Sequence, residues 1–247
     1  MSDGFPQFLV VLPTYNEHLN IERVGTGILA HPTARLLVVD DNSPDGTGAL
    51  AEALGARFPG RVEVMHRTGP RGLGRSYIDG LRRALETDAQ VICQMDADMS
   101  HNPKDLPALV GATRTLDLVI GSRYLGDTVA VVNWPLHRIV LSAFANRYIR
   151  AITGMRTHDC TAGFRAWRRE ALASLPLSDA RTNGYAFLTE MLYEAARRGC
   201  SIGEVPTVFV EREEGYSKLS RKVLLESLLT PWRLISRGGR VRPRVRA

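Results

Sequence analysis

Residues 89–101 read AQVICQMDADMSH. Residues 91–95 are a short apolar run of the kind that fills a buried strand, and Asp96-Ala-Asp98 follows without a spacer. Side chains alternate along an extended segment, so Asp96 and Asp98 would point to one side with Ala97 facing the other. Two hard oxygen ligands on one side suit Mg2+ or Mn2+, which keep some water and complete their shells from substrate phosphates. The same residues also suit a solvated acidic turn capping a helix that begins near Pro103, with Ser100 or Asn102 as N-cap. Acidic pairs are common, so the neighbouring segments must decide between the two readings.

Those neighbours alternate strand and helix. Residues 8–12, 36–39, 62–65, 91–95 and 118–120 read as strands, with helices over 20–29, 49–57 and 74–86 between them. This alternation predicts βαβ units, hence an α/β fold built on a mostly parallel sheet with flanking helices. Such open sheets bind ligands just beyond the carboxyl ends of their strands. Three polar segments fall there: PTYNE (13–17), DDNSPD (40–45) and DAD (96–98). One could be an accident of loop composition; three converging on one rim argue for a site.

The later residues are less regular. Residues 126–133 read as a loop, 134–152 as a helix whose apolar residues are expected to pack into the core, and 185–198 as a helix. A strand is expected over 205–210. An amphipathic helix is expected over 218–235, interrupted by Pro231 and carrying Leu224, Leu225, Leu228, Leu229 and Trp232. We expect a catalytic domain over 1–219 and an amphipathic helix with a basic tail over 220–247.

Composition narrows the classes. The 247 residues, 44% hydrophobic and 23% charged, suffice for a globular core and argue against disorder. Cys93, Cys160 and Cys200 form no CxxC pair, so a disulfide framework or cysteine-built zinc site is not expected, and a reducing cytoplasmic compartment is. The net charge of +6 is carried by six arginines at 233, 237, 240, 242, 244 and 246, a stretch with no acidic residue. Apolar anchors followed by that tail favour a membrane surface over nucleic acid as partner. No segment reaches the roughly 18–20 apolar residues of a membrane span, and residues 1–13 do not read as a signal peptide.

The remaining candidates are polar residues in loops. PTYNE offers an aromatic face and a carboxylate suited to a base and ribose, or a helix entry capped by Asn16 or Asn20. Either Asp40 or Asp41 could accept hydrogen bonds from a base or ribose, while Asp45 and Thr47 also fit simple capping. Arg71-Gly-Leu-Gly-Arg75 opens a helix, where backbone N–H groups and the helix dipole can receive an anion.

These segments, together with GSRY (121–124), VVNWP (131–135), DCTAGFR (159–165) and EREEGYSK (211–218), resemble the family 2 glycosyltransferases with the GT-A fold. The branch they are most similar to is the bacterial type of polyprenol (dolichol) phosphate mannose synthase. The motifs run in the family's order from about Phe8 to about Leu219. The resemblance implies that Pro13, Tyr15, Glu17 and Asp41 hold the guanosine of GDP-mannose, with Asp45 and Arg71 in the same donor region. It implies that Asp96 and Asp98, with Ser100 as a further contact, meet Mg2+ or Mn2+ and the diphosphate. Arg123, Arg212 and Lys218 would surround the donor and acceptor phosphates, since guanidinium forks bind phosphate oxygens bidentately. Asp159, Arg165 and Glu190 fall at motif positions of the acceptor pocket. One departure stands out: the family's glycine loop usually opens with lysine, where this chain has Pro70 followed by Arg71.

The implied reaction is inverting transfer of mannose from GDP-mannose to a polyprenyl monophosphate at the cytosolic membrane face, with the protein bound peripherally. A separate membrane-anchoring subunit is a partner some relatives use. A UDP-glucose-dependent polyprenyl-phosphate glucosyltransferase, or another family 2 enzyme, is the alternative.

Overall fold

The computed structural model describes residues 5–125, 128–177, 185–211 and 221–241. Strand β1 (Phe8–Thr14) is followed by α1 (Ile21–Leu29), β2 (Ala34–Asp40), α2 (Thr47–Arg57), β3 (Val62–His66), α3 (Leu73–Leu85) and β4 (Val91–Gln94). A single 3-10 turn at Pro103–Asp105 leads into α4 (Leu106–Ala112) and β5 (Leu118–Ser122). The short strands β6 (Tyr124–Leu125), β7 (Thr128–Val129) and β8 (Val131–Val132) precede the long helix α5 (Leu136–Thr153). Then come β9 (Arg165–Arg168), α6 (Arg169–Ala173), α7 (Tyr185–Arg198), β10 (Ile202–Pro206), β11 (Phe209–Val210) and α8 (Arg221–Gly238).

Seven strands form one sheet in the order β10-β5-β9-β4-β1-β2-β3. All pairings are parallel except those of β9, which runs antiparallel between β4 and β5. Period-two alternation divides β1 between two cores: Leu9 and Val11 face the layer of α3 and α7, while Phe8, Val10 and Leu12 face that of α1, α2 and α4. The sheet is thus covered on both faces, as parallel strands require.

Four expectations change. Residues 126–133 are not simply a loop, because β7 and β8 lie among them. The run expected as one strand over 205–210 is broken into the ends of β10 and β11. The interruption expected at Pro231 is absent, and α8 continues through it. The helix expected to pack into the core, α5, buries only Asn146, Ile149 and Thr153, while Leu136, Val140, Leu141 and Phe144 are exposed. Strand β9 was not anticipated at all. Its residues, Arg-Ala-Trp-Arg, lack an apolar pattern, yet Arg165, Ala166 and Trp167 are buried.

Candidate active site

The three post-strand segments do converge on one rim, and each turns sharply there. Asn16 (φ 60°), Asn42 (φ 57°) and Met99 (φ 61°) all adopt left-handed backbone. Asparagine tolerates this conformation; for Met99 it costs about 1–2 kcal/mol, strain held immediately after Asp98.

On one flank of the rim the loops after β1 and β2 lock together. The Thr14 hydroxyl donates to Asp40 Oδ1 (3.2 Å), and Ser43 donates to the same carboxylate through its amide and hydroxyl. The Glu17 amide donates to Thr47 Oγ1 (2.9 Å), and the Asn20 side chain donates to Glu17 Oε2 (2.9 Å). Asp45 accepts from the Thr47 amide and hydroxyl and from the His18 amide. Burial alone raises the Asp45 carboxyl, but these bonds outweigh it and hold it at about 2. Asp41 bridges the buried Arg67 and the Gly72 amide, which donates to Asp41 Oδ2 at 2.8 Å. Arg67 also bonds Asp79 (2.8 Å), so one buried guanidinium ties β3, the loop after β2 and α3 together. Arg71 stacks 4.6 Å over the Tyr15 ring and donates to its hydroxyl (2.8 Å). Pro13, at the buried end of β1, completes this flank.

At the centre, Asp96 accepts from the Tyr77 hydroxyl through Oδ1 (2.8 Å), and His101 Nε2 lies 3.9 Å from Oδ2. Gly163 backs directly onto this carboxylate: a Cβ there would stand 3.3 Å from Oδ2. Asp98 accepts from the Ser100 amide through Oδ1 (3.0 Å). The Ser100 hydroxyl is buried and makes no hydrogen bond among the described residues, an arrangement that is costly unless a ligand completes it. Two carboxylates and such a hydroxyl are all hard oxygen donors, so the residues fit a divalent cation that also contacts phosphate. The expected cap of the helical segment beyond is Asn102, whose side chain accepts from the Lys104 amide (3.1 Å).

The opposite flank is built on Arg123. Its guanidinium makes two 2.7 Å bonds to Asp159, one to each carboxylate oxygen, and a third to Thr161 Oγ1 (2.7 Å). It also lies 5.4–5.6 Å from the rings of Tyr124, Trp134 and Phe209. Burial alone would raise Asp159, but the charge and hydrogen bonds of Arg123 hold its carboxyl below the usual range. Arg138 stacks 4.1 Å over Trp134 and pairs with Glu211 (2.5 Å). Trp134 Nε1 is buried without a hydrogen bond among the described residues.

Two acceptor-side candidates are buried. Arg165 is wholly buried and spends its donors on the carbonyls of Ala162, Leu188 and Cys160, so it braces the scaffold instead of lining a pocket. Burial lowers its guanidinium to about 10. Glu190 is nearly buried, 3.5 Å from Arg237 of α8. Arg212 and Lys218 lie outside the described residues. Arg67, Tyr77, His101, Thr161 and Arg138 were not anticipated, because each is recognisable only by what it touches across the fold.

Beside this flank, α5 and α8 pack together and each exposes apolar side chains. Leu136, Val140 and Phe144 recur every fourth residue along α5, and Leu228, Leu229 and Trp232 are exposed on α8. Tyr148 joins the helices: its hydroxyl donates to the Leu228 carbonyl (2.9 Å) and accepts from Trp232 Nε1 (2.8 Å). Beyond them Arg240 donates to the Ala151 carbonyl (2.9 Å) and the Val241 amide to that of Thr153 (2.8 Å). No described helix is long and apolar enough to cross a membrane.

Residues 9–175 match the family described as Glycosyl transferase family 2. Over 243 residues the chain is 46% identical to a polyprenol monophosphomannose synthase of Mycolicibacterium smegmatis, covering 96% of this chain and 91% of that protein. It is 42% identical to an undecaprenyl-phosphate mannosyltransferase of Micrococcus luteus, with 96% and 98% covered. Among solved structures, glucosyl-3-phosphoglycerate synthase from Mycobacterium tuberculosis with Mn2+, UDP and phosphoglyceric acid aligns with a TM-score of 0.69 at 23% identity, covering 97% of this chain and 81% of that one. A mannosyltransferase from Pyrobaculum calidifontis with GDP-Man and Mn2+ aligns at 0.64 and 19% identity, covering 98% and 67%. These two share the fold.

Proposed function

The chain belongs to glycosyl transferase family 2, and from that premise we propose that it transfers mannose from GDP-mannose to a polyprenyl monophosphate, with inversion at the anomeric carbon. The observation that carries this reading is the near full-length match to two relatives named for mannose and polyprenyl or undecaprenyl phosphate.

The site's chemistry supports it. Pro13, Tyr15, Glu17, Asp41, Asp45 and Arg71 form the donor flank, with the Tyr15–Arg71 stack offering a flat surface to a nucleoside. Asp96, Asp98 and Ser100 would hold Mg2+ or Mn2+, which would neutralise charge on the departing diphosphate. Arg212 and Lys218 would supply positive charge for two anionic substrates beside the Arg123–Asp159 pair. A phosphate monoester has a second pKa of about 6, so the acceptor arrives already nucleophilic near neutral pH. A hydroxyl acceptor would need a general base instead. Asp159, the carboxylate that could serve, is buried, and two hydrogen bonds from Arg123 hold its pKa below the usual range and make it a weak base, which favours the phosphate acceptor.

The acceptor's prenyl chain also gives the exposed face of α5 and α8 a role. Laid on the cytosolic surface of a membrane, this face would bury Leu136, Val140, Phe144 and Trp232 in lipid, with the C-terminal arginines at the anionic headgroups.

The test is incubation of the purified chain with GDP-mannose, Mg2+ and polyprenyl phosphate, followed by mass spectrometry of the extracted lipid. A hexose added to the lipid phosphate is expected. Absence of any sugar-lipid defeats the proposal.

A further inference from the structure

We propose that Tyr77 is a positioning residue that couples the donor loop to the metal-holding carboxylate Asp96. The inference rests on the reading of Asp96 as a metal ligand and names a residue to which that reading assigned no role.

Tyr77 lies in the first turns of α3, directly after the Arg71–Gly72 loop. Its side chain is fully buried, its ring stacks on Phe187 at 6.3 Å, and its hydroxyl donates to Asp96 Oδ1 at 2.8 Å. A carboxylate whose one oxygen accepts from a fixed donor presents the other in a defined direction. On the far side, Gly163 leaves space for that second oxygen, and the buried His101 ring faces it.

The same helix carries the donor loop. Asp41 accepts from the Gly72 amide, and Arg67, bonded to Asp41, reaches the Ser76 hydroxyl at 3.3 Å, one residue before Tyr77. Helix α3 can lie this close to the sheet because residue 80 is glycine: a Cβ there would meet Val11 at 2.6 Å and Val39 at 2.7 Å. A shift of the loop on nucleotide binding would therefore move the Tyr77 hydroxyl, and Asp96 with it.

The experiment titrates the full chain and Tyr77→Phe with Mn2+ at fixed, saturating GDP, following free Mn2+ by its electron paramagnetic resonance signal, with GDP alone as baseline. Loss of a hydrogen bond behind a metal ligand typically weakens the metal about 10-fold or more, and about 10-fold is expected for Tyr77→Phe. In the Asp96→Asn background the same substitution should add no further loss. Apparent KM for Mn2+ in turnover should rise while kcat at saturating Mn2+ stays near that of the parent chain. Thermal unfolding of Tyr77→Phe monitored by circular dichroism separates loss of fold from loss of positioning. Metal affinity in folded Tyr77→Phe equal to the parent's overturns the proposal while leaving the metal reading intact. Failure of the parent chain itself to bind Mn2+ beyond the GDP baseline removes the metal reading, and the proposal with it. If Tyr77→Phe does not fold, Gly80→Ala, which lifts α3 off the sheet, must weaken Mn2+ in the same assay; unchanged affinity there also overturns it.

Discussion

Arg123 and Asp159 form a pair that neither residue can leave cheaply. Asp159 is wholly buried and Arg123 nearly so, and breaking such a pair strands a charge in a poorly solvated place. Asp159→Ala is expected to lower the unfolding free energy by about 3 kcal/mol or more; a urea denaturation series showing less than about 1 kcal/mol would reject that view. At the carboxylate pair proposed to hold the metal, Asp98→Asn should leave the fold intact and reduce turnover by about 100-fold or more, as loss of charge stabilisation at a developing anion does. Near-normal turnover would rule out its assigned role. Asp45 makes a pH prediction. Its folded pKa, about 2, lies below the ordinary carboxylate value, so folding favours the ionised form. The resulting roughly 2 kcal/mol is present above about pH 4 and is lost as pH falls through 2. The stability gap between the parent chain and Asp45→Asn should therefore close over that window; a gap that persists at pH 2 argues for another origin.

Among the elements, the parallel strands and the helices between them were legible because apolar runs and turn residues alternate cleanly from Phe8 to Gln94. Strand β9 was not, because pattern reading assigns arginine to the outside, whereas Arg165 is buried by bonds to three backbone carbonyls. Helix α5 shows a different limit. Its apolar spacing reveals an amphipathic helix but not what the apolar side faces, and most of it faces outward. That exposure gives a test. Phe144→Glu removes a large apolar group from the surface without opening the core, so thermal stability should hold. Burying such a side chain is worth about 1.5–3 kcal/mol, so binding to anionic liposomes should weaken about 10-fold in a flotation assay. Undiminished flotation would remove α5 from the membrane contact. This variant is cleaner than truncating the chain before α8, because Leu234 is core and Tyr193 bonds the carbonyls of Leu234 and Gly239.

For the whole molecule, what the sequence makes visible is the rim. PTYNE, DDNSPD and DAD each follow a strand, and parallel strands must bring their carboxyl ends together. Less visible is the wiring behind the rim: Arg67 to Asp41, Tyr77 to Asp96 and Arg123 to Asp159 span 19 to 36 residues, and no local pattern marks them. That wiring ties the loops after β1 and β2, the carboxylate pair at the centre and the Arg123–Asp159 pair into one site. In the function proposed above, this unit moves mannose, not glucose, onto a lipid phosphate with the help of a divalent cation. The most direct measurement offers the purified chain equal GDP-mannose and UDP-glucose, each with a distinct isotope label, together with polyprenyl phosphate and Mg2+, with and without EDTA. The expected lipid product carries only the mannose label, is abolished by EDTA and is restored by excess Mg2+ or Mn2+. A product carrying the glucose label, or one formed equally well in EDTA, would contradict the proposed function.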